Sequence, residues 1–270
     1  MQCFRVIKTR EAFFMTKFIT AIVKKVGALQ REQFSKSIRQ IKKGDWGDFL
    51  TATDLASEKI LINAIKKRYP THTIIAEEGG MMMKDKDNVW YIDPLDGTNN
   101  FSNRIPFFCI SVAFQHKGRA HTSVIYDPIH DECFTANDRG FFINGRKTTI
   151  KNTRLNETML AIEIPPNTQK RGAAEHTLRA LPKIFWKTRM IKSLGSTALE
   201  LAYVAAGRLG AFALAGLFYP WDIAAGAHCI TAAGGIVTDW RGKPWSPTMG
   251  SIIAATPASH KELLTILKKQ

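Results

Sequence analysis

Apolar residues recur every three or four positions near the start of the chain, which is the spacing of one face of a helix. The residues with this spacing are Phe18, Ile22, Val26 and Leu29. They predict a helix over residues 16–42. A second helix is predicted to begin at Thr53 or Asp54, either of which can act as an N-cap, and to end at Arg68, ahead of Pro70.

Beyond this second helix, short apolar runs alternate with longer helical patterns. The runs that predict strands are Thr73–Ala76, Val89–Ile92, Phe107–Phe114, Ser123–Tyr126, Gly140–Ile143, Met159–Ile164, Arg189–Ser193, Gly210–Leu214, Ile236–Asp239 and Ile252–Ala255. Asn144-Gly145 is typical of a tight hairpin turn. Helices are predicted over Thr197–Ala206, over Asp222–Ala233, and from Ser259, where Glu262 completes a capping-box pattern. Hairpins mixed with helices favour a layered α+β fold over a doubly wound parallel sheet.

Met15 opens the amphipathic pattern and marks the predicted start of the folded domain. Charged residues interrupt the apolar positions before it, so no secretory signal is predicted. No stretch reaches the ~20 uncharged apolar residues of a membrane span. We therefore expect residues 1–14 to be an extension, either disordered or upstream of the natural start, and residues 15–270 to form the domain. A break near residues 151–158 divides it into possible halves, 15–150 and 159–270.

Composition adds information on partners and on the cellular compartment. The chain is 45% hydrophobic and 23% charged, which is ordinary for a globular protein, but its formal net charge is +15. A basic surface attracts nucleic acid, anionic lipid and phosphorylated metabolites alike, so charge alone does not identify the partner. The four cysteines include no C-x-x-C pair. They therefore disfavour a zinc site or a disulfide framework and fit a reducing cytoplasm.

The segment with the most informative chemistry contains two aspartates. In Asp93-Pro94-Leu95-Asp96, an apolar strand is predicted to lead into a turn with Asp93 first, Pro94 second and Asp96 fourth. Both carboxylates can then point into one site. Gly97 and Thr98 would open the next helix, where free backbone N–H groups favour a phosphate.

Two further acidic positions follow the same logic. Glu77 comes directly after the run Thr73–Ala76, and Asp222 begins a predicted helix. Each alone is typical of a solvated strand end or a helix cap. Together with Asp93 and Asp96, however, they would form a cluster of carboxylates that repel one another unless a cation neutralises them. Oxygen ligands of this kind suit magnesium, manganese or calcium better than zinc.

Several motifs together resemble those of the inositol monophosphatase family, and in the same order. The resembling segments are Lys43 with Asp48–Asp54, Ile75–Glu78, Asp93–Phe101, Gly195–Ala198 and Trp221–Gly226. The resemblance runs from about Met15 to the C-terminus. Its nearest subgroup is the bacterial extragenic-suppressor type, whose members are usually dimers and in some cases have a second role in RNA metabolism or transcription. It implies a five-layer αβαβα sandwich and a magnesium-dependent, lithium-sensitive phosphatase.

The same resemblance implies a set of metal ligands. A first magnesium would be held by Glu77, Asp93 and the carbonyl of Leu95. A second would be held by Asp93, Asp96 and Asp222, and a weaker third would lie near Glu77. These assignments come from the family pattern and not from spacing alone.

Catalytic and substrate-binding roles are implied in the same way. Thr98, hydrogen-bonded to Asp54, would orient and deprotonate the attacking water, and Glu77 would complete the catalytic set. The residues implied to contact the substrate or its phosphate are Asp96, Gly97, Thr98, Ser196 and Asp222.

Ala215 departs from the family pattern. Members that act on inositol phosphates usually carry a glutamate seven residues before the aspartate of the second signature, and here that count from Asp222 reaches Ala215. A missing carboxylate removes strong acceptors for sugar hydroxyls. We therefore predict weak selectivity among substrates, unless Glu163 or Glu175 takes the place of that carboxylate.

Other functions are open at this stage. Nucleotide 3′-phosphatases and fructose bisphosphatases belong to the same superfamily. Haloacid-dehalogenase phosphatases use a D-x-D-G-T motif, whereas the spacing of the two aspartates here is D-x-x-D, which disfavours that class. An RNA or transcription partner would use the +15 charge, although no RNA-binding signature accompanies it.

Overall fold

The computed structural model describes residues 9–36, 40–42, 49–164, 171–216, 218–247 and 249–268. The helices in these ranges are α1 (Thr9–Phe34), α2 (Ala52–Arg68), α3 (Thr98–Ser102), α4 (Arg171–Phe185), α5 (Thr197–Ala205), α6 (Pro220–Ala233) and α7 (Pro257–Leu267). None of them combines the length and the apolar character needed to cross a bilayer. Lys43 and Asp48, two positions of the family resemblance, lie outside the described ranges.

The strands within the described ranges form one large sheet, one small sheet and a short ribbon. They are β1 (Gln40–Lys42), β2 (Phe49–Thr51), β3 (His72–Ala76), β4 (Gly80–Met82), β5 (Asp85–Asp96), β6 (Cys109–His116), β7 (Arg119–Asp127), β8 (Glu132–Asn137), β9 (Gly140–Ile143), β10 (Arg146–Thr148), β11 (Met159–Ile162), β12 (Met190–Lys192), β13 (Ala211–Ala215), β14 (Ile236–Thr238) and β15 (Ser251–Ala255).

The large sheet has eight strands in the order β10-β9-β8-β7-β6-β5-β3-β4. All of its pairs are antiparallel except β3 with β5. The small sheet has five strands in the order β12-β11-β13-β15-β14, and β11 runs parallel to both of its neighbours. The two sheets lie on either side of residues 151–158 in the sequence, where the break was expected. Whether the two halves are separable units stays a prediction.

Three hydrophobic clusters define five layers. One face of the large sheet packs against α1 and α2 through residues such as Val23, Leu61 and Phe114. Its other face, the helices α5 and α6, and the inner face of the small sheet share the largest cluster. The outer face of the small sheet packs against α4 and α7. The order of layers is therefore αβαβα, which confirms the predicted α+β fold.

The first helix differs from its prediction at both ends. It begins at Thr9, and the carbonyl of the buried Ala12 accepts a hydrogen bond from Thr122 on β7 at 3.3 Å, so residues 9–14 belong to the helix. It ends at Phe34, and Gln40–Lys42 pairs with β2 as a strand. Of the four residues that set the predicted spacing, Val26 is fully buried and Phe18, Ile22 and Leu29 are half-buried. The spacing did not identify where the helix ends.

The helix caps also differ from their predictions. Thr51, and not Thr53 or Asp54, caps α2, with Asp54 as the third helical residue of a capping box. Helix α7 begins at Pro257 with Thr256 as its cap. The predicted capping box at its start is wrong, because Glu262 accepts a hydrogen bond from the N–H of Leu155 at 3.0 Å instead.

Candidate metal and phosphate site

The two aspartates of the acidic motif lie at the end of β5, where the strand has a bulge. Asp93 is opposite Ser111 on β6 and Asp96 is opposite Cys109, so three steps on β5 match two on β6. Residues three apart in a regular strand point to opposite faces. The extra residue brings both aspartates to one face, and Pro94, which cannot donate to the ladder, suits such a position. The predicted turn is therefore a bulged strand, although the two carboxylates do lie on the same side.

Asp93 is the most enclosed member of this group, with 2% of its surface exposed. Its Oδ1 accepts the N–H of Leu95 at 3.0 Å. Burial raises the pKa of the Asp93 carboxyl well above its usual range, and Glu77, Asp96 and Asp222 raise it further by charge repulsion. A hydrogen bond also joins Asp93 to Glu77. The structure thus brings the other three acids that the sequence singled out within electrostatic reach of the buried Asp93 carboxyl.

Asp96 is held by donors from the loop before α5. Its Oδ2 accepts the hydroxyl of Ser196 at 2.5 Å and the N–H of Ala198 at 2.7 Å, and the thiol of Cys109 lies 3.6 Å away. Burial raises the pKa of Asp96 to about 6, because these hydrogen bonds offset only part of the desolvation. Ser196 is 1% exposed, and its hydroxyl binds the Asp96 carboxylate. Its predicted contact with the substrate stays a prediction.

Thr98 and Asp54 form a second polar pair beside the aspartates. Thr98 Oγ1 lies 2.9 Å from Asp54 Oδ1 and 3.0 Å from the carbonyl oxygen of Leu95, and its single hydrogen can serve only one of them at a time. Asp54 is fully buried, and its Oδ2 accepts the N–H of Thr51 at 2.7 Å. Burial raises the pKa of Asp54, while the hydrogen bonds from Thr51 and Thr98 lower it. Asp54 is therefore a buried acceptor held in a fixed position, and the half-buried Thr98 hydroxyl is the more accessible member of the pair.

Gly97 makes the close turn between β5 and α3. Its φ is +94°, in the left-handed region that favours glycine. A Cβ at this position would lie 3.1 Å from both the carbonyl oxygen of Phe107 and the Cβ of Ser196. A side chain here would displace the loop that holds Asp96, so the glycine is required for packing as well as for conformation.

Glu77 and Asp222 approach the site from two other elements. Glu77 follows β3, and its N–H donates to the carbonyl of Ile92 at 3.2 Å. Asp222 is in the first turn of α6, where its Oδ2 accepts the N–H of Tyr219 at 2.7 Å. Across the described ranges, no three acidic, histidine or cysteine side chains form a group that could hold a metal ion as they stand.

The chemistry of the donors nevertheless fits an oxygen-coordinated divalent cation. Asp93 is a buried carboxyl that faces three further acids. Such a cluster remains ionised only when positive charge compensates it. Asp96 and Asp222 each have one oxygen bound to a protein donor, which orients the carboxylates in the manner of supporting hydrogen bonds around a metal centre.

Sequence reasoning missed one residue that supports the acidic strand. Gln30 on α1 is fully buried, and its Nε2 donates to the carbonyl of Pro94 at 2.7 Å and lies 3.2 Å from the hydroxyl of Ser57. This amide fixes the backbone between Asp93 and Asp96. A polar residue on a mostly apolar helix face was a weak local signal, and 64 residues separate the two partners in sequence.

The position of Ala215 differs from what the count predicted. Ala211, Ala213 and Ala215 pack in the outer cluster with α4 and α7, whereas Phe212 and Leu214 face the cluster that contains α5 and α6. Leu214, and not Ala215, is thus on the side of β13 nearer the acidic site. Both residues are apolar. Of the two proposed substitutes, Glu175 pairs with Arg179 at 3.1 Å on the surface, and Glu163 binds loop amides.

An αβαβα sandwich with carboxylates gathered at the end of a central strand has the architecture of the layered α+β phosphatases. A sequence model of the inositol monophosphatase family matches residues 13–270. The chain belongs to the inositol monophosphatase family.

Relatives and solved structures are similar over most of their length. The chain is 40% identical over 237 residues to the protein named Nus factor SuhB of Escherichia coli (strain K12), covering 87% of each chain. It matches the structure of the extragenic suppressor protein suhB from Bartonella henselae with a TM-score of 0.88 and 32% identity, over 94% of this chain and 98% of that one. A Thermotoga maritima IMPase gives a TM-score of 0.84 and 31% identity, over 94% and 96%.

Proposed function

We propose that the chain is a magnesium-dependent phosphomonoesterase of small phosphorylated metabolites, with inositol 1-phosphate or a related polyol or sugar phosphate as its substrate. The observation that carries the proposal is the buried Asp93 carboxyl facing Glu77, Asp96 and Asp222. Membership of the inositol monophosphatase family supports the reaction class.

The metal-binding set would consist of five residues on β5, on α6 and on the segment after β3. It comprises the side chains of Glu77, Asp93, Asp96 and Asp222 and the carbonyl of Leu95. Bound magnesium lowers the pKa of a coordinated water and stabilises charge on phosphoryl oxygens. The protein's own contribution is to hold the carboxylates rigidly, through Ser196 and Ala198 for Asp96 and through Tyr219 for Asp222.

Asp54 and Thr98 would act on the attacking water. The Thr98 hydroxyl can accept a proton from water as its own proton moves to Asp54 Oδ1, 2.9 Å away. Because burial raises the pKa of Asp54, this carboxylate is a better proton acceptor than an exposed one. Glu77, hydrogen-bonded to Asp93, completes the proposed catalytic set. The N–H groups of Gly97 and Thr98 would bind the phosphate.

The substrate can be tested by a phosphate-release screen in magnesium. The screen compares inositol 1-phosphate, glycerol 2-phosphate, a hexose phosphate, adenosine 3′,5′-bisphosphate and fructose 1,6-bisphosphate. We expect hydrolysis of inositol 1-phosphate with less than about tenfold preference over glycerol 2-phosphate, because neither Leu214 nor Ala215 can accept a hydroxyl hydrogen bond, each worth about 1.5–3 kcal/mol to a charged acceptor.

The screen has two informative alternatives. A strong preference for the bisphosphonucleotide or for fructose 1,6-bisphosphate would assign the chain to the corresponding branch of the superfamily. Hydrolysis of none of the five compounds would contradict the proposed reaction. The Asp93→Asn variant, purified in the same way, controls for a contaminating phosphatase.

A role in RNA metabolism or transcription is a second candidate. Relatives at 40% identity are named Nus factor SuhB, a name that marks them as transcription-associated, and this chain carries a net charge of +15. A protein with this net charge can bind the phosphate backbone of a nucleic acid without sequence readout. Both activities can reside in one protein, because the acidic site and the basic surface use different residues.

RNA binding should be visible as a salt-dependent affinity. We expect fluorescence anisotropy with a labelled single-stranded RNA to give a Kd that rises steeply between low and physiological salt, since counterions are released on binding. The Asp93→Asn variant should bind equally well, because the acidic site is not involved. Absence of binding at low salt would contradict the RNA-binding role and would indicate that the basic residues are only solvated.

The proposal also covers the assembly and the cellular location. We infer a homodimer, which exposed apolar side chains such as Phe185 and Trp186, 55% and 81% exposed, support. We also infer the cytoplasm. Cys109, Cys133 and Cys229 are buried free thiols, as expected in a reducing compartment.

A further inference from the structure

The loop over residues 193–196, which connects β12 to α5, is held by two glutamates from different elements. Glu163 lies just past the end of β11, and Glu200 is in the first turn of α5. Glu163 Oε1 accepts the N–H groups of Leu194 and Gly195, both at 3.0 Å. Glu200 Oε1 accepts the same Leu194 N–H at 2.9 Å. The two carboxyl groups therefore lie side by side beneath the loop.

One proton between the two carboxyl groups makes this arrangement possible. Both accept the same Leu194 N–H, so two negative charges at this distance would repel unless one of the carboxyl groups is protonated. Glu200 is fully buried, whereas Glu163 is partly exposed, so the proton belongs on Glu200. Burial and the nearby Glu163 raise the pKa of Glu200 to about 10. An ionised Glu200 would also leave its Oε2 buried with no donor from the described residues.

The loop that these glutamates hold carries Ser196 to the acidic site. Ser196 donates to Asp96 Oδ2 at 2.5 Å. On the opposite side, Asn100 of α3 donates from Nδ2 to the carbonyl of Leu194 at 2.7 Å. Gly195 has a φ of +76°, and a Cβ there would lie 3.2 Å from the Asn100 amide. The loop is thus fixed on both sides, and the Asp96 carboxylate depends on its position.

We propose that Glu163 and Glu200 are a positioning pair that fixes the loop 193–196 and thereby orients the Asp96 carboxylate for metal and substrate. The inference rests on the proposed phosphatase function. Neither glutamate binds the reacting groups, and each acts through Ser196. Sequence reasoning considered Glu163 only as a sugar ligand, but its Oε1 is directed at loop amides.

Hydrogen exchange tests the pair without any need for activity. In Glu163→Ala, the amides of Leu194 and Gly195 should exchange at least about tenfold faster than in the wild type. In Glu200→Leu, the amide of Leu194 should also exchange faster, because each variant removes a hydrogen-bond acceptor. Glu200→Gln keeps a neutral acceptor of the same shape and should exchange like the wild type. Glu175→Gln, a surface glutamate on α4 paired with Arg179, is the matched control.

Kinetics with inositol 1-phosphate then test whether the loop positions the site. Glu163→Ala and Glu200→Leu should lower kcat about tenfold and raise the magnesium concentration for half-maximal activity by a similar factor. Glu200→Gln should stay within about threefold of the wild type. A purely structural role would lower the melting temperature and leave the magnesium requirement unchanged.

The outcomes separate the inference from the function on which it rests. Unchanged exchange in Glu163→Ala, or faster exchange with an unchanged magnesium requirement, would overturn the positioning role. A large loss of activity in Glu200→Gln would overturn it as well, because it would require an ionised Glu200. If Glu200→Leu does not fold, the partly exposed Glu163 supplies the decisive variant. If the wild-type protein hydrolyses no phosphate ester, the proposed function is refuted. Amide hydrogen exchange would still test whether Glu163 and Glu200 hold the loop.

Discussion

Replacing Asp93 with asparagine is expected to lower phosphate release from inositol 1-phosphate by about a thousandfold or more. A metal centre supplies several kcal/mol of transition-state stabilisation, and each ~1.4 kcal/mol is a factor of ten in rate. Asp93 is the carboxyl that faces Glu77, Asp96 and Asp222, so its loss should disrupt both proposed metal positions. Steady-state kinetics across a magnesium series measures the effect.

The same variant should be more stable than the wild type in the absence of metal, although it is less active. A carboxyl group whose pKa is raised on folding makes its full contribution to the stability of the folded state below its unfolded pKa of about 3.9. That contribution is lost as the pH rises through the higher pKa of the folded state. The pKa of Asp93 is raised in this way. Metal-free Asp93→Asn should therefore melt at a higher temperature than metal-free wild type at neutral pH. Magnesium should raise the melting temperature of the wild type only.

Asp87→Asn, at the other end of β5, is the matched control and should alter neither property. Wild-type rates in Asp93→Asn, or an equal rise in melting temperature with magnesium in both proteins, would contradict the assignment of Asp93 to the metal site. A loss of activity together with a fall in metal-free stability would instead indicate a packing defect.

Asp54→Asn and Thr98→Ala should each lower kcat by about 10²–10⁴ with little change in KM, because they act on the nucleophile and not on the substrate. The two residues form one hydrogen-bonded pair, at 2.9 Å. The double variant should accordingly be little worse than the more damaged single variant.

Ser102→Ala, which removes another hydroxyl of α3, is the control for this pair. Asparagine at residue 54 can still accept the N–H of Thr51, so α2 should keep its cap. Fully additive losses in the double variant would show that Asp54 and Thr98 act separately. Unchanged kcat in both single variants would place the activation of water elsewhere.

The fold could be predicted where local pattern and tertiary contact agree. The glycine stop of α6 is an example, since Gly234 adopts a φ of +96°. Strand β8 and helix α4 were not predicted. β8 has mixed composition and is a strand because it pairs with β7 and β9, and Pro182 lies within α4. Whether such segments form a strand or a helix depends on contacts with residues distant in sequence, and apolar spacing gives no information on those contacts.

The site was predictable as a set of residues but not as a geometry. The motif around Asp93 indicated two carboxylates on one side, yet the bulge that achieves this depends on the register with β6. Gln30 supports the same strand from 64 residues away. Glu200 lies in an ordinary helical pattern, and only the folded chain brings it to Glu163. Supporting residues of this kind have no local signature.

The most direct test is phosphate release from inositol 1-phosphate by the full chain after its metal ions have been removed, followed by titration with magnesium. We expect no release in excess chelator and a saturable recovery of activity as magnesium is added, because Glu77, Asp93, Asp96 and Asp222 otherwise form an uncompensated acidic cluster. An unchanged rate of phosphate release in excess chelator would contradict the proposed metal-dependent mechanism.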